Sequence, residues 1–278
     1  MKKKLSAMLF ALTVLLTLAA CGDESPAPPA RERPVVQDFV EGAPASEDTL
    51  IVLGEPEPEL ALPTTPAATG DTINIGGMEI SINETELTLM EMGLTDEDIL
   101  PLQYLTNLLY LDLDGNNLTN ISPLAGLVNL ETLDLRHNRI RDISPLANMT
   151  NLVELSLWDN VITDISPLAN LTKLEFIDLD ENFVRDISPL AGLTMLHNLY
   201  LWDNDITDIS PLANLTNLVY LDLDENNITD LSPLFGLSDL EWVSVAFMNP
   251  ELTGAQIDEL RAALPNAEID SDWDWMYE

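Results

Sequence analysis

Cysteine, histidine and basic residues are scarce in this chain of 278 residues. The one cysteine, Cys21, excludes an intrachain disulfide, so any folded domain must stand on its apolar core. The two histidines, His137 and His197, lie 60 positions apart, and neither has zinc-ligand spacing to another donor. No glycine-rich phosphate loop and no serine elbow is present. Eleven Lys and Arg stand against 48 Asp and Glu, a net charge of −37. Such a surface repels nucleic acid and anionic headgroups and suits basic partners or cations. Nucleic-acid binding is therefore not expected. After the first twenty residues no apolar run approaches the length of a transmembrane helix.

What is there begins with a targeting pattern. Lys2, Lys3 and Lys4 precede an apolar stretch from Leu5 to Ala20, so residues 1–20 read as a secretory signal. The string Leu18-Ala19-Ala20-Cys21 resembles the lipobox of bacterial lipoproteins, which implies lipidation at Cys21 and an extracytoplasmic membrane anchor. Residues 21–70 hold nine prolines among Ala, Glu, Asp and Thr, with no sustained apolar period. They read as a disordered, self-repelling acidic tether of roughly fifty residues, spanning about 40 Å as a coil.

Beyond residue 70, Thr72 to Ile75 and Met78 to Ile82 alternate apolar with polar residues around Gly76-Gly77, which predicts a hairpin capping the next domain. A 22-residue period follows. Prolines recur at 101, 123, 145, 167, 189, 211 and 233. The unit Asn-Leu-Val-Glu-Leu-Ser-Leu-Trp-Asp-Asn-Val-Ile-Thr-Asp-Ile-Ser-Pro-Leu-Ala-Asn-Leu-Thr, from Asn151, is typical. Its apolar spacing fits neither one helix nor one strand, so each unit must fold back and share a core with its neighbours. Leu155 and Leu157 point inward at period 2 while Ser156 points out. Asn160 is expected to satisfy turn backbone in its own coil and the next, a role continued by Asn116, Asn138, Asn182, Asn204 and Asn226, with Met92 and Met248 at the ends. Ser166 before Pro167 suggests a hydroxyl-capped helical turn. Thr253 to Ile269 predicts a capping helix with Ile257, Leu260 and Leu264 on one face, then a turn and short strand. The acidic, aromatic tail from Ser271 is expected to pack partly on this cap.

The pattern L-x-x-L-x-L-x-x-N-x-I/L is that of the leucine-rich repeat. With Asp-Ile-Ser-Pro-Leu-Ala-Asn-Leu-Thr at period 22, the chain resembles the internalin-like surface proteins of bacteria. The resemblance implies a curved solenoid of about eight coils, with a parallel sheet on the concave face and short 3₁₀ turns on the convex face. Residues 71–250 would form the repeat domain with its N-terminal cap, and 251–278 the C-terminal cap helix, strand and tail. In such proteins the concave face usually engages a protein.

Three outward columns should line that face. Tyr110, Thr132, Glu154, Phe176, Asn198, Tyr220 and Trp242 form the first; Asp112, Asp134, Ser156, Asp178, Tyr200, Asp222 and Ser244 the second. Asp114, Arg136, Trp158, Asp180, Trp202, Asp224 and Ala246 form the third. Tyr110, Asp112, Trp158, Phe176, Asp178, Tyr200, Trp202, Tyr220, Asp222 and Trp242 are the candidate protein-binding residues, as aromatic anchors and steering carboxylates. Two blander readings stand beside this one: aromatics that merely shield the sheet, and a solvated acidic face. The basic group Arg136, His137, Arg139 and Arg141 is expected to offset Asp114, Asp134 and Asp142. A flat sheet offers no burial to raise a carboxyl pKa, so catalysis is not expected, nor a cofactor or specific metal site. The expected protein is a monomeric, lipid-anchored binder of a protein or peptide with a basic surface. Alternatives are a structural spacer with an idle sheet face, or a weak Ca²⁺ binder.

Overall fold

The computed structural model describes residues 71–246 and 252–271. The targeting segment, Cys21, the tether, Met248 and the tail from residue 272 lie outside the described residues. Two strands, β1 (Thr72–Ile75) and β2 (Met78–Ser81), pair antiparallel. Gly76 and Gly77 both have positive φ in the two-residue turn, a geometry glycine adopts without a Cβ clash. Ile75 and Ile80 are buried, and β1 lies against the first 3₁₀ turn, Leu100–Tyr104. The hairpin therefore covers apolar surface at the start of the repeats, as its pattern predicts.

Eight short parallel strands follow, one per coil: β3 (Glu86–Thr88), β4 (Tyr110–Asp112), β5 (Thr132–Asp134), β6 (Glu154–Ser156), β7 (Phe176–Asp178), β8 (Asn198–Tyr200), β9 (Tyr220–Asp222) and β10 (Trp242–Ser244). They stack in chain order, and β11 (Glu268–Asp270) extends the sheet to nine strands. The register matches the repeat: Leu111, Leu133, Leu155, Ile177, Leu199, Leu221 and Val243 face one another at 22-residue steps. Only β3 is offset by 24, Leu87 facing Leu111. The two extra residues fall in the Asp96-Glu97-Asp98 stretch, where Asp96 accepts bonds from the Thr119 and Asn120 amides and the Thr119 hydroxyl of the next coil.

The core is one continuous aliphatic cluster running from Ile75 to Leu264, most of it fully buried. Each coil supplies strand leucines on one side and turn residues on the other, as Ile165, Leu168 and Leu171 do in the Ile-Ser-Pro-Leu-Ala-Asn-Leu segment. Short 3₁₀ turns such as Ser166–Asn170 close that second side. Proline at the start of each turn fixes φ and forfeits an amide that the turn would leave unpaired.

The capping of these turns differs from the expectation for Ser166. The serine hydroxyl makes no cap; its backbone amide donates to Asp164 Oδ1 two residues earlier. The same bond recurs at Asp142, Asp186, Asp208 and Asp230, and at Asn120. Ser166 is the first residue of the turn, after the N-cap Ile165, so its hydroxyl lies inside the turn rather than ahead of it, and the Asx side chain two residues earlier answers its free amide.

The asparagine ladder is present and has a direction. Asn160 Oδ1 accepts from the Ile140 amide of the preceding coil, while its Nδ2 donates to Leu135 O of that coil and Leu157 O of its own. Asn116, Asn138, Asn182, Asn204 and Asn226 repeat this pattern, each reaching back one coil. Met92 takes the place in the first coil, which has no earlier coil to bridge. The residue just before each asparagine is left-handed: Gly115, His137, Asp159, Glu181, Asp203 and Glu225 have φ of 49–68°. Only the first of these is glycine.

The helix α1 (Gly254–Ala263) covers the end of the array and leads into β11. Thr253 and Gln256 form a capping box, and the Gln256 side-chain amide donates to Thr229 O in the last complete coil. Ile257, Leu260 and Leu264 are buried, as their spacing predicts.

Asn160→Ala should lower unfolding stability by about 3 kcal/mol in a urea titration, because three buried backbone groups lose their partner. Asp203→Gly should do the reverse, raising stability by about 0.5–1 kcal/mol as the left-handed strain is relieved.

Candidate functional site

The strand register assembles the three outward columns as the sequence orders them. Tyr110, Thr132, Glu154, Phe176, Asn198, Tyr220 and Trp242 are aligned in one row, and Asp112, Asp134, Ser156, Asp178, Tyr200, Asp222 and Ser244 in the next. Consecutive members of a row sit on neighbouring strands, about 4.8 Å apart.

The expectation that all three columns face solvent needs correction. Asp134 is 0% exposed, Asp178 5%, Asp112 7% and Tyr200 8%. Ser156 and Ser244 of this column are buried too, whereas Asp222 stays partly exposed. Phe176 is buried as well, its ring 5.6 Å from that of Tyr200. These two aromatics shield the sheet, while Trp158, Trp202, Tyr220, Trp242 and Tyr110 stay half-exposed. Trp158 packs on His137 with ring centroids 4.6 Å apart and donates Nε1–H to Glu181.

The aspartates have a local structural job that the column pattern alone did not reveal. Asp112, Asp134, Asp178 and Asp222 each accept, through Oδ1, the amide two residues on, where the ladder runs out at the strand end. In the next coils Tyr200 is too long to accept in this way, and the Ser244 hydroxyl donates to Asp224 instead. There Asp180 and Asp224 reach across from the preceding coil to the amides of Trp202 and Ala246. The readable signal was the Asp-Leu-Asp triplet, an i to i+2 side-chain turn.

Electrostatically the face has two halves. In the first, Arg136 Nε lies 3.0 and 2.9 Å from the two Asp134 oxygens, and a terminal nitrogen reaches Asp134 at 2.7 Å and Asp114 at 3.6 Å. His137 Nδ1 is 2.7 Å from Asp114. Burial works to raise the Asp114 pKa, but His137 and Arg136 outweigh it and hold the carboxyl below its ordinary range. The same bond raises His137. Arg136 and His137 of the basic group thus offset Asp114 and Asp134 as expected, whereas Asp142 accepts from the Ser144 amide instead.

In the second half burial outweighs the more distant pull of Arg136 and His137 on Asp178, and here the expectation of ordinary carboxyls fails. Burial pushes Asp178 and Asp222 up to about 7, the latter helped by Asp224. Asp180 is raised well above its usual value by burial and by Asp178 and Asp222. Glu154 in the first column also rises to about 7, through burial and the charge of Glu175. Among the described residues no three His, Cys, Asp or Glu side chains are placed to share a metal ion. No helix of the described residues is long and apolar enough to cross a membrane.

Coils of this geometry define the class. The model for leucine-rich repeats matches residues 85–148, 150–192 and 194–236, more than half of the chain, and the chain belongs to that family. Within it the protein is internalin-like: internalin C2 of Listeria monocytogenes is 38% identical, with a TM-score of 0.53 over 61% of this chain and 86% of its own. A leucine-rich-repeat protein of Leptospira interrogans shares 24% identity and the fold, with a TM-score of 0.58 over 62% of this chain and 45% of its own. No curated protein matches the sequence.

Arg136→Met should cost about 3 kcal/mol of stability at pH 7, since Asp134 would be left buried without its cation. The loss should shrink at pH 5, where protonation of a carboxyl already raised by burial relieves the unpaired charge. Urea titrations at the two pH values check both.

Proposed function

We propose that the chain is an extracytoplasmic binding protein whose sheet face recognises a protein or peptide with a basic surface, and that it is not an enzyme. The observation that carries this reading is the pairing, on one rigid sheet, of half-exposed Trp158, Trp202, Tyr220, Trp242 and Tyr110 with carboxylates that outnumber the Arg136 and His137 cations beside them. Aromatic side chains on rigid strands lose little conformational freedom on binding and dominate interface energetics. Core positions are already filled by Leu and Ile, so these rings are not needed inside. Excess negative charge steers a basic partner toward the face. The family supports this reading at the level of protein–protein interaction. Asp112, Asp178 and Asp222, with Phe176 and Tyr200, act from beneath the surface by shaping it and setting its charge.

Lipidation at Cys21 would hold the domain on the outer side of the bacterial membrane, and the acidic proline-rich segment would stand it off that surface. The support is the lipobox-like string and the tether's composition.

Trp158→Ala, Trp202→Ala and Tyr220→Ala together should cut retention of a Lys- and Arg-rich peptide at least tenfold. The melting temperature should move by no more than about 3 °C, because the rings are not part of the core. An acidic peptide of equal length serves as control, at two salt concentrations. Unchanged retention would leave the sheet face idle and favour a spacer role. In a membrane fractionation, Cys21→Ser should shift the protein from the membrane pellet to the soluble fraction.

A further inference from the structure

One coil carries a histidine where most carry an acid. The left-handed position of successive coils holds Glu91, Gly115, His137, Asp159, Glu181, Asp203 and Glu225, so His137 is the one side chain of that column able to bear positive charge. Its backbone is fixed twice over: φ is 49°, and its amide donates to the Trp158 carbonyl of the next coil at 2.9 Å. The side chain is held as firmly. Nδ1 lies 2.7 Å from Asp114 Oδ1 of the preceding coil, and the ring centroid is 4.6 Å from that of Trp158, at an interplanar angle of 56°. Trp158 is also bonded forward, its Nε1–H donating to Glu181 Oε1 at 3.2 Å. The His137 side chain is 40% exposed, so the imidazole can trade protons with water. Trp202, two coils on, has Glu181 at the place where Trp158 has its histidine.

We propose that His137 is the positioning residue of Trp158: protonated, it holds the indole between itself and Glu181, and neutral, it lets the ring move. Asp114 accepts from Nδ1, which keeps that proton in both forms, so the proton gained and lost is the one on Nε2. Gaining it turns the ring into a cation, which strengthens the bond to Asp114 and is attracted to the indole at this distance. Losing it removes that attraction, and the indole keeps its bond to Glu181 alone. A partner that uses Trp158 meets a fixed ring below the changeover and a freer one above it. That consequence rests on the binding role proposed for this face; the coupling of His137 to Trp158 does not.

The charged groups around the imidazole are Asp114 from the preceding coil, Arg136 beside it and Asp159 from the next coil, with Asp178 beyond. The bond to Asp114, with the charges of Asp114 and Asp159, outweighs burial and Arg136, so the changeover lies above the ordinary 6.5 of histidine. A histidine raised in this way stabilises the fold fully below its unfolded value, and the gain is lost as pH climbs through the folded one.

Tryptophan fluorescence of the full chain between pH 5 and pH 9 tests this, the emission of Trp158 being the difference between wild type and Trp158→Phe. An imidazolium against an indole quenches it, so the difference should fall as pH is lowered, with a midpoint above about 6.5. His137→Gln, which can still donate to Asp114, should flatten the titration. Asp114→Asn keeps the acceptor oxygen without the charge and should move the midpoint down. In thermal unfolding, wild type should exceed His137→Gln by more at pH 5.5 than at pH 8.5. A Trp158 emission that ignores pH, or follows the same curve in His137→Gln, overturns the proposal. Nitrogen-15 titration of the wild-type imidazole decides the matter if the glutamine variant does not fold: Nδ1 should stay protonated while Nε2 titrates above about 6.5, and a midpoint at or below that value overturns it. No ligand enters these readouts, so failure here leaves the binding role standing, and failure of that role leaves the coupling standing.

Discussion

Everything in this domain depends on the bonds that join one coil to the one before it through a buried asparagine amide. Leucine packing makes stacking favourable, but it is indifferent to register and would tolerate slippage. The amide is not indifferent. Its oxygen and its two N–H groups meet a specific amide and specific carbonyls in two coils at once, and each group is costly to leave unpaired. One side chain per 22 residues therefore fixes the pitch, and with it the alignment of the strand columns on which any recognition would depend.

The same economy of backbone groups explains the acidity of the sheet face. Strands of three residues end almost as soon as they start, leaving an amide at each end to be answered. Aspartate answers it from two residues away in the same coil, or from the coil before where the same-coil position is tyrosine or serine. The carboxyls are thus first a structural necessity. Their crowding is what gives the face its electrical character, because side chains placed to serve amides cannot also be placed to avoid one another.

Most of the fold was legible. The proline period, the leucine spacing and the Asn column specify a stacked coil without reference to structure, and Gly76-Gly77 and Thr253 mark its two covers. The two-residue lengthening of the first coil was also visible, though not that Asp96 uses it to staple the next coil. The face was read less well. Alternation correctly sends Asp178 and Phe176 to the outer side of the sheet, but outer is not the same as exposed. Burial there depends on the bulk of neighbours 22 residues away, which a period-2 rule ignores. The elevated carboxyls were missed for that reason, and the serine cap because a hydroxyl beside proline looks sufficient until the aspartate two positions earlier is weighed against it.

The backward reach of the asparagines gives the array a polarity with respect to loss of material. Each coil's turn is completed partly by its own asparagine and partly by that of the coil that follows. Trimming from the N-terminal side would strand an asparagine side chain and strand-entry amides such as Val153 and Glu154, which donate to Glu131 O of the coil before. Trimming from the C-terminal side would strand a turn amide and carbonyls fixed in place beside the core. Lengthening or shortening of such an array should therefore proceed by whole 22-residue units, so that each asparagine still meets a coil that can receive it.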